Sequence, residues 1–383
     1  MNNNRRVSLT FIVAAAALVA LSAPSALRAA DANDSAPPKP AEDRYSGEYV
    51  GPYIAADGKT MLGVAKVYFD PTVKPNGGCR ATLYAVESGL IYGTVISDKT
   101  KCESSALLTG TKYEGSIIDL RDMLLLEGDK FKGGIDGDKF RAGSKDGTFD
   151  LTRYYRKSPT LGAAPPAGAI VLLDYKPGQA PKRVVWTGGE WKVVNDSRMN
   201  KPGTAPSLAE WTNDKWKAFN DGSIMVAEGN NYTKRQFKNF RLHAEFMVVC
   251  GTKGGGGGNS GFYLLDRYEV QVYDSFGRGL DKGNCAAIYQ TFAPSANACL
   301  PAGQWQTYDI TFRAPVMEGK VVKKRPLITV VHNGVTVHDG VEIPHATGVA
   351  QKRGDAAEGP IMLQDHGSPV RFRNIWLVEI PAQ

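Results

Sequence analysis

The chain has 383 residues, of which 42% are apolar and 22% charged, so it can bury a substantial core and is not a disordered tail. Glycine and proline make up about a sixth of it, which is loop-rich but short of low complexity. The formal net charge is +7, yet the basic residues are scattered, and the densest cluster (Lys320, Lys323, Lys324, Arg325) is too brief to be a nucleic-acid arm.

At the N-terminus, Arg5 and Arg6 precede an apolar run over residues 9–21, then small residues ending near Ala30-Asp31-Ala32. That order predicts a secretory signal peptide over 1–32 and a periplasmic or secreted product. The run falls short of the roughly 20 residues that span a bilayer, and no later stretch is longer, so no membrane span is expected. Residues 33–44 read as a polar, Pro-rich tether.

From 45 to 157 the chain breaks into short β-branched and aromatic runs, for example 62–69, 81–86, 90–96 and 149–155. Asp57-Gly58, Asn76-Gly77, Asp136-Gly137 and Asp146-Gly147 are hairpin-turn signals between such runs. This predicts a small all-β domain to which the residues assign no role. Residues 158–168 (SPTLGAAPPAG) read as a Pro-rich linker, because each proline bars helix at the residue before it.

The second domain, 169–383, is again patterned as strands. In Leu242 to Met247, Leu242, Ala244 and Phe246 share one face and His243, Glu245 and Met247 the other; in Tyr268 to Tyr273, Val270 and Val272 oppose Glu269, Gln271 and Tyr273. Further strands are expected over 327–332, 335–338 and 372–380, with Asn333-Gly334 turning a hairpin. Many strands and almost no helical periodicity predict a two-sheet sandwich of jelly-roll type. Polar, titratable and aromatic groups on one sheet face suit a sugar, whose C–H faces stack on rings and whose hydroxyls bond carboxylates, amides and imidazoles. The five cysteines permit Cys79–Cys102 and Cys285–Cys299 disulfides with Cys250 left over, and Cys250 with either late cysteine is equally permitted. No Cys-x-x-Cys occurs, so no structural zinc pattern is present.

Four motifs then follow in order: Gly258 to Tyr263 (GNSGFY), Arg267 to Ser275 (RYEVQVYDS), Gln304 to Ile310 (QWQTYDI), and Leu363 to Gly367 (LQDHG) with Val370 to Ile375 (VRFRNI). In order and spacing they resemble the 3-keto-disaccharide hydrolase domain family, long catalogued as a domain of unknown function, across about residues 168–381. The two-domain layout also resembles secreted, planctomycete-like members. The resemblance implies a concanavalin A-like jelly roll that cleaves glycosides already oxidised at C3. A C3 ketone acidifies the C2 proton, so a base can form an enolate that expels the C1 aglycone, with water adding later. Such a site needs a base, a stabiliser for the enolate oxygen and an acid for the leaving group. A divalent metal could serve as the stabiliser. A carbohydrate substrate and an upstream sugar 3-oxidoreductase are the implied partners.

On this reading Glu269, His366 and His243 are candidate catalytic residues. Gln271, Glu245, Tyr263, Tyr273, Asp274, Gln364 and Arg371 are candidate substrate contacts, with Tyr263 and Tyr273 as stacking rings. Arg373 either helps hold the enolate oxygen or pairs with acids on the sheet, and Asp365 caps a turn. Trp305 and Tyr308 read as core plugs; His332, His338 and His345 read as structural or exposed. The glycine run 254–258 lacks the lysine and helix of a phosphate loop and reads as a loop rimming the groove. Two alternatives stay open: a non-catalytic lectin-like module, and an ordinary glycosidase with two carboxylates about 5–10 Å apart.

Overall fold

A computed structural model describes residues 46–70, 78–88, 109–120, 123–128, 131–175, 183–187, 190–194, 206–219, 221–248 and 258–382. The expected signal peptide, the tether, the run 90–96, the Asn76-Gly77 turn, Cys102, Cys250 and residues 254–257 lie outside them, as does the side chain of Cys79.

The first domain is a closed antiparallel barrel of strands β1 (Gly47–Ala55), β2 (Thr60–Asp70), β3 (Gly78–Ser88), β4 (Thr109–Leu120), β5 (Met123–Gly128), β6 (Phe131–Asp136), β7 (Lys139–Ser144) and β8 (Gly147–Tyr154). Each strand pairs with the next, and β8 returns to β1. Asp57-Gly58, Asp136-Gly137 and Asp146-Gly147 all fall at strand junctions, as their turn chemistry predicts. In β8, Phe149 and Leu151 point inward while Thr148, Asp150 and Thr152 stay exposed. They join Tyr49, Tyr53, Leu83 and Phe140 in the barrel core.

Glu48 and Lys66 are cross-strand partners outside that core, yet both are buried. Their flank of the barrel rests on the second domain. Arg156 pairs with Glu48 at 3.2 Å and donates to the carbonyls of Ala298 and Cys299. Tyr68 lies so close to Gly277 that a Cβ there would stand 2.4 Å from its ring. Burial pulls the Lys66 ammonium down to about 7, against the charge of Glu48.

The second domain is a two-sheet sandwich. The larger sheet runs β12 (Lys217–Ala218), β13 (Ile224–Met225), β24 (Arg371–Glu379), β15 (Phe240–Met247), β18 (Gln306–Arg313), β21 (Leu327–His332) and β22 (Val335–Glu342), with β9 (Ile170–Leu173) also on β24. The smaller runs β14 (Asn231–Tyr232), β23 (Met362–Leu363), β16 (Ser260–Leu264) and β17 (Tyr268–Val272). Two ribbons accompany them: β10 (Arg183–Thr187) with β11 (Glu190–Val194), and β19 (Val316–Glu318) with β20 (Val321–Lys324). Leu242, Ala244 and Phe246 of the larger sheet share one core with Phe262, Val270 and Val272 of the smaller. Phe246 and Phe262 meet edge to face at 6.3 Å across it. Asn333 and Gly334, at φ 51° and 83°, turn β21 into β22 as their sequence predicts. The chain is thus all-β, a jelly-roll sandwich preceded by a small barrel.

Residues 158–168, expected as a linker, lie along the outer face of the larger sheet. The hydroxyl of Ser158 meets that of Thr307 at 2.6 Å, and Thr160 donates to Asp309 Oδ2 at 2.6 Å. The Gly162 amide donates to Glu245 Oε1 at 2.5 Å, while Asn374 and Trp376 donate to the Ala163 carbonyl. Leu161 packs beside Met225, Met247 and Trp305. The segment is a strap, not a free connector.

Candidate active site

Strand alternation sends Phe262, Val270 and Val272 into the core, so Tyr263, Glu269 and Gln271 take the opposite face of the smaller sheet. Tyr263 stands directly across from Glu269, and Gly261 across from Gln271. The Glu269 side chain leans over Gly261: a Cβ on that glycine would meet Oε1 at 2.6 Å. The carboxyl therefore lies over the one position of β16 that has no side chain. Gln364, just past β23, reaches the Tyr263 hydroxyl with its Nε2 at 3.4 Å.

Two further segments close this cup. Residues 284–292 run along the free edge of β17, where the Gln271 amide donates to Ala287 O, the Ala286 amide to Gln271 O, and the Tyr289 amide to Glu269 O. A 3-10 turn, Gly348–Arg353, follows Thr347, whose hydroxyl accepts the Glu269 amide at 2.8 Å. A Cβ on Gly348 would lie 3.1 Å from the Tyr289 ring and 3.5 Å from Glu269 Oε2. At its far end Arg353 grips the carboxylate and carbonyl of Asp266.

Glu269 is 2% exposed. Burial pushes its carboxyl up to about 7, against the hydrogen bond from Tyr263 that favours the charged form. Burial and the neighbouring Glu269 charge push the Tyr263 hydroxyl well above the usual phenol range. Glu269 Oε2, Gln271 Oε1 and Gln364 Oε1 have no hydrogen-bond partner among the described residues. Buried acceptors without donors carry a desolvation cost that a hydroxyl-bearing ligand would relieve. Among the described residues no three His, Cys, Asp or Glu side chains group as metal ligands. What this cup could offer a cation is one carboxylate and two amide oxygens.

Other expected site residues stand elsewhere. His243 and Glu245 do not face the cup. Leu242, Ala244 and Phe246 point into the core from the larger sheet, so His243 and Glu245 point out through its far side, beneath the strap. His243 Nδ1 meets Asp309 Oδ1 at 2.6 Å, and its ring stacks on Trp376 at 4.9 Å. Burial lowers the imidazole, but its bonds to Asp309 and Glu245 outweigh that and raise it to about 8. Burial likewise raises Glu245, and His243, Arg373, Asn374 and the Gly162 amide together hold it below the usual carboxylate range. Arg373 takes the pairing role, at 2.6 Å from Glu245.

Arg371 is likewise not in the cup: it is buried against Asp221 at 2.6 Å, near Phe219 and Trp305. His366 is on the smaller sheet's side but exposed, in a turn that Asp365 caps by accepting the Gly367 amide at 2.8 Å. Tyr273 extends the face of Glu269 and Gln271 and carries the Arg278 guanidinium 5.4 Å over its ring; Asp274 follows, half-buried. Trp305 and Tyr308 are buried, as are His332 and His338, while His345 is exposed. Sequence reading passed over Tyr289, Thr347, Gly348 and Arg353. They sit in segments without strand alternation, so no periodic signal marks them.

Residues 190–378 match a family described as the 3-keto-alpha-glucoside-1,2-lyase-like domain. No curated protein matches the chain. Among solved structures, one from Parabacteroides distasonis, provisionally assigned as a glycosyl hydrolase, is 29% identical, with 56% of this chain and 85% of that chain covered at TM-score 0.45. A second from the same organism, with the same provisional assignment, is 23% identical over 45% of this chain and 95% of that chain, at TM-score 0.34. At these TM-scores the likeness adds nothing to the fold described above. Residues 190–378 are thus a 3-keto-alpha-glucoside-1,2-lyase-like domain, which gives the protein a carbohydrate-active role.

Proposed function

We propose that this is an exported enzyme that cleaves 3-keto-glycosides at the cup between β16, β17 and β23, with Glu269 as the base. The observation that carries this reading is the Glu269 carboxyl itself: buried, held up to about 7, and with one oxygen unpartnered beside the unpartnered oxygens of Gln271 and Gln364. A carboxyl near neutrality is charged often enough to accept a proton and basic enough to take one from an acidified carbon.

In the reaction, Glu269 takes the C2 proton of the keto sugar and the C–H electrons move into an enolate whose oxygen is the former C3 ketone. The enolate collapses, the C1–O bond breaks, and the departing aglycone oxygen takes up a proton from water. The ring keeps a C1–C2 double bond conjugated to the ketone, and addition of water across it completes hydrolysis. Gln271 and Gln364 hold ring hydroxyls with their free oxygens, and the Tyr263 hydroxyl keeps the Glu269 carboxyl aimed. An upstream 3-oxidoreductase supplies the ketone. The segment Arg5 to Ala32 supplies export; among the described residues no helix is long and apolar enough to cross a membrane.

The test is aglycone release from a 3-keto-glucoside and from the unoxidised glucoside. Turnover of the keto compound alone, reduced about 100-fold or more by Glu269→Gln, supports the reading. Binding of either sugar without release would move the protein to the lectin-like class. Turnover of the unoxidised sugar would move it to the ordinary glycosidases.

A further inference from the structure

We propose that Cys285 and Cys299 are joined by a disulfide in the exported protein, and that this bond holds the wall of the cup against β17. The inference rests on export and on the position of the cup, not on the identity of the sugar.

Both side chains are buried, at 2% and 1% exposure, and stand in this structure as free thiols in hydrogen-bonding contact with each other. Neither is idle in the surrounding network. The Cys285 thiol is 3.1 Å from the Tyr308 hydroxyl, which itself donates to Gln271 O at 2.5 Å. The Cys299 thiol donates to Leu300 O at 3.4 Å and reaches Tyr273 O at 3.7 Å. The two sulfurs therefore lie directly behind the main chain of Gln271 and Tyr273.

A bond between them would close residues 286–298 into a loop. That loop carries Tyr289, and its first part is the edge segment hydrogen-bonded to Glu269 and Gln271. From the other side, Arg156 of the barrel domain holds the Ala298 and Cys299 carbonyls. The segment is thus gripped at both ends next to the candidate base, and a covalent tie would remove the chain entropy that otherwise favours its opening.

The chemistry is thiol–disulfide exchange. Burial alone would raise the Cys285 thiol, but the hydrogen bond with Cys299 and the nearby His332 pull it below its usual range. Burial, Cys285 and Asp274 hold Cys299 above it. The Cys285 thiolate attacks the disulfide of a dithiol oxidase in the exporting compartment and releases one of its thiols. Cys299 loses its proton to solvent and attacks the mixed disulfide, freeing the second. Two protons and two electrons leave the pair, and the oxidase disulfide becomes a dithiol. Since the finished site excludes solvent, exchange belongs to the stage before the segment closes, and the folded bond is shielded from reductants.

The experiment uses the full chain exported by its own leader, with free thiols alkylated under denaturant before digestion. The expected result is a cross-linked pair of peptides containing Cys285 and Cys299 that dithiothreitol opens only after unfolding. Both thiols alkylated, or either one bonded to Cys250, would overturn the proposal. The paired variant Cys285→Ser with Cys299→Ser should lose about 6–12 °C in Tm and exchange the amides of residues 286–292 faster. Unchanged exchange there would overturn the role in the wall; should the serine pair fail to fold, the alanine pair serves. These readouts need no substrate. A protein with the bond intact but inactive on a keto-glycoside would count against the proposed function and leave the disulfide standing.

Discussion

The carboxyl of Glu269 lies across Gly261, two residues along β16 from its own cross-strand partner Tyr263, in the space a side chain there would occupy. Gly261→Ala is therefore expected to push the carboxyl out of line while leaving the core face of β16 untouched. Aglycone release should fall about 100-fold, since misplacement by about 1 Å costs that much. Stability should fall by only about 1–3 kcal/mol, the usual cost of overpacking. Steady-state kinetics beside thermal unfolding separates the two effects; equal rates with a lowered Tm would remove Glu269 from the chemistry.

Glu269 also sets a pH signature. Its folded value of about 7 lies above the ordinary 4.5, so the folded chain holds this proton more tightly. The burden of the charged form is absent below about 4.5, grows as pH rises toward 7 and is full above it. Glu269→Gln should therefore gain up to about 3 kcal/mol at pH 8 and nothing at pH 4. The wild-type rate should rise with pH through about 7 as the base deprotonates. Denaturant unfolding of both proteins at the two pH values checks the first claim, and a pH–rate profile the second.

The strap should come loose in alkali. His243 is raised from 6.5 to about 8 by Asp309 and Glu245, so its contribution is complete below 6.5 and is lost as pH rises through 8. Arg373 and Asn374 still hold Glu245 after that loss. Proteolysis within residues 158–168 should be faster at pH 9 than at pH 6. The same nicking should appear at pH 6 in His243→Ala, with aglycone release within about threefold of wild type, because this side of the sandwich faces away from the cup. A large loss of activity in that variant would return His243 to the chemistry.

Arg156→Met should be severe. It leaves Glu48 buried beside Lys66 with one cation fewer and takes the Arg156 donor from the Cys299 carbonyl, while the Ala298 carbonyl keeps that of Asn333. Breaking one side of a buried pair costs about 3–5 kcal/mol, whereas Arg156→Met with Glu48→Gln should recover part of it. Chemical denaturation of the two variants measures the difference; identical losses would mean that the pair is not coupled.

Alternation in the sequence told which residues share a strand face, and that was enough to put Glu269, Gln271 and Tyr273 on one side of β17; Tyr263, on the neighbouring strand, came from its motif. Alternation could not tell which sheet a strand joins or what covers its outer side. His243 and Glu245 have the same polar pattern as Glu269 and Gln271, yet β15 and β17 belong to opposite layers, so one pattern opens on the cup and the other on the strap. The strap itself reads as a linker because its prolines and glycines carry no periodicity, and its partners lie 83 residues away at Glu245 and 149 at Thr307. Arg353 and Tyr289 were silent for a similar reason: a 3-10 turn and an edge loop bring them in, guided by main-chain hydrogen bonds.

For anyone dividing the protein into pieces, the docked strap moves the cut. A sandwich started at residue 169, where composition changes, would lose Thr160, Gly162 and Ala163 and leave Asp309, Glu245 and Trp376 facing water. A fragment begun at Lys157 keeps the strap, though not the Arg156 bond to the Cys299 carbonyl. Only the undivided chain keeps both.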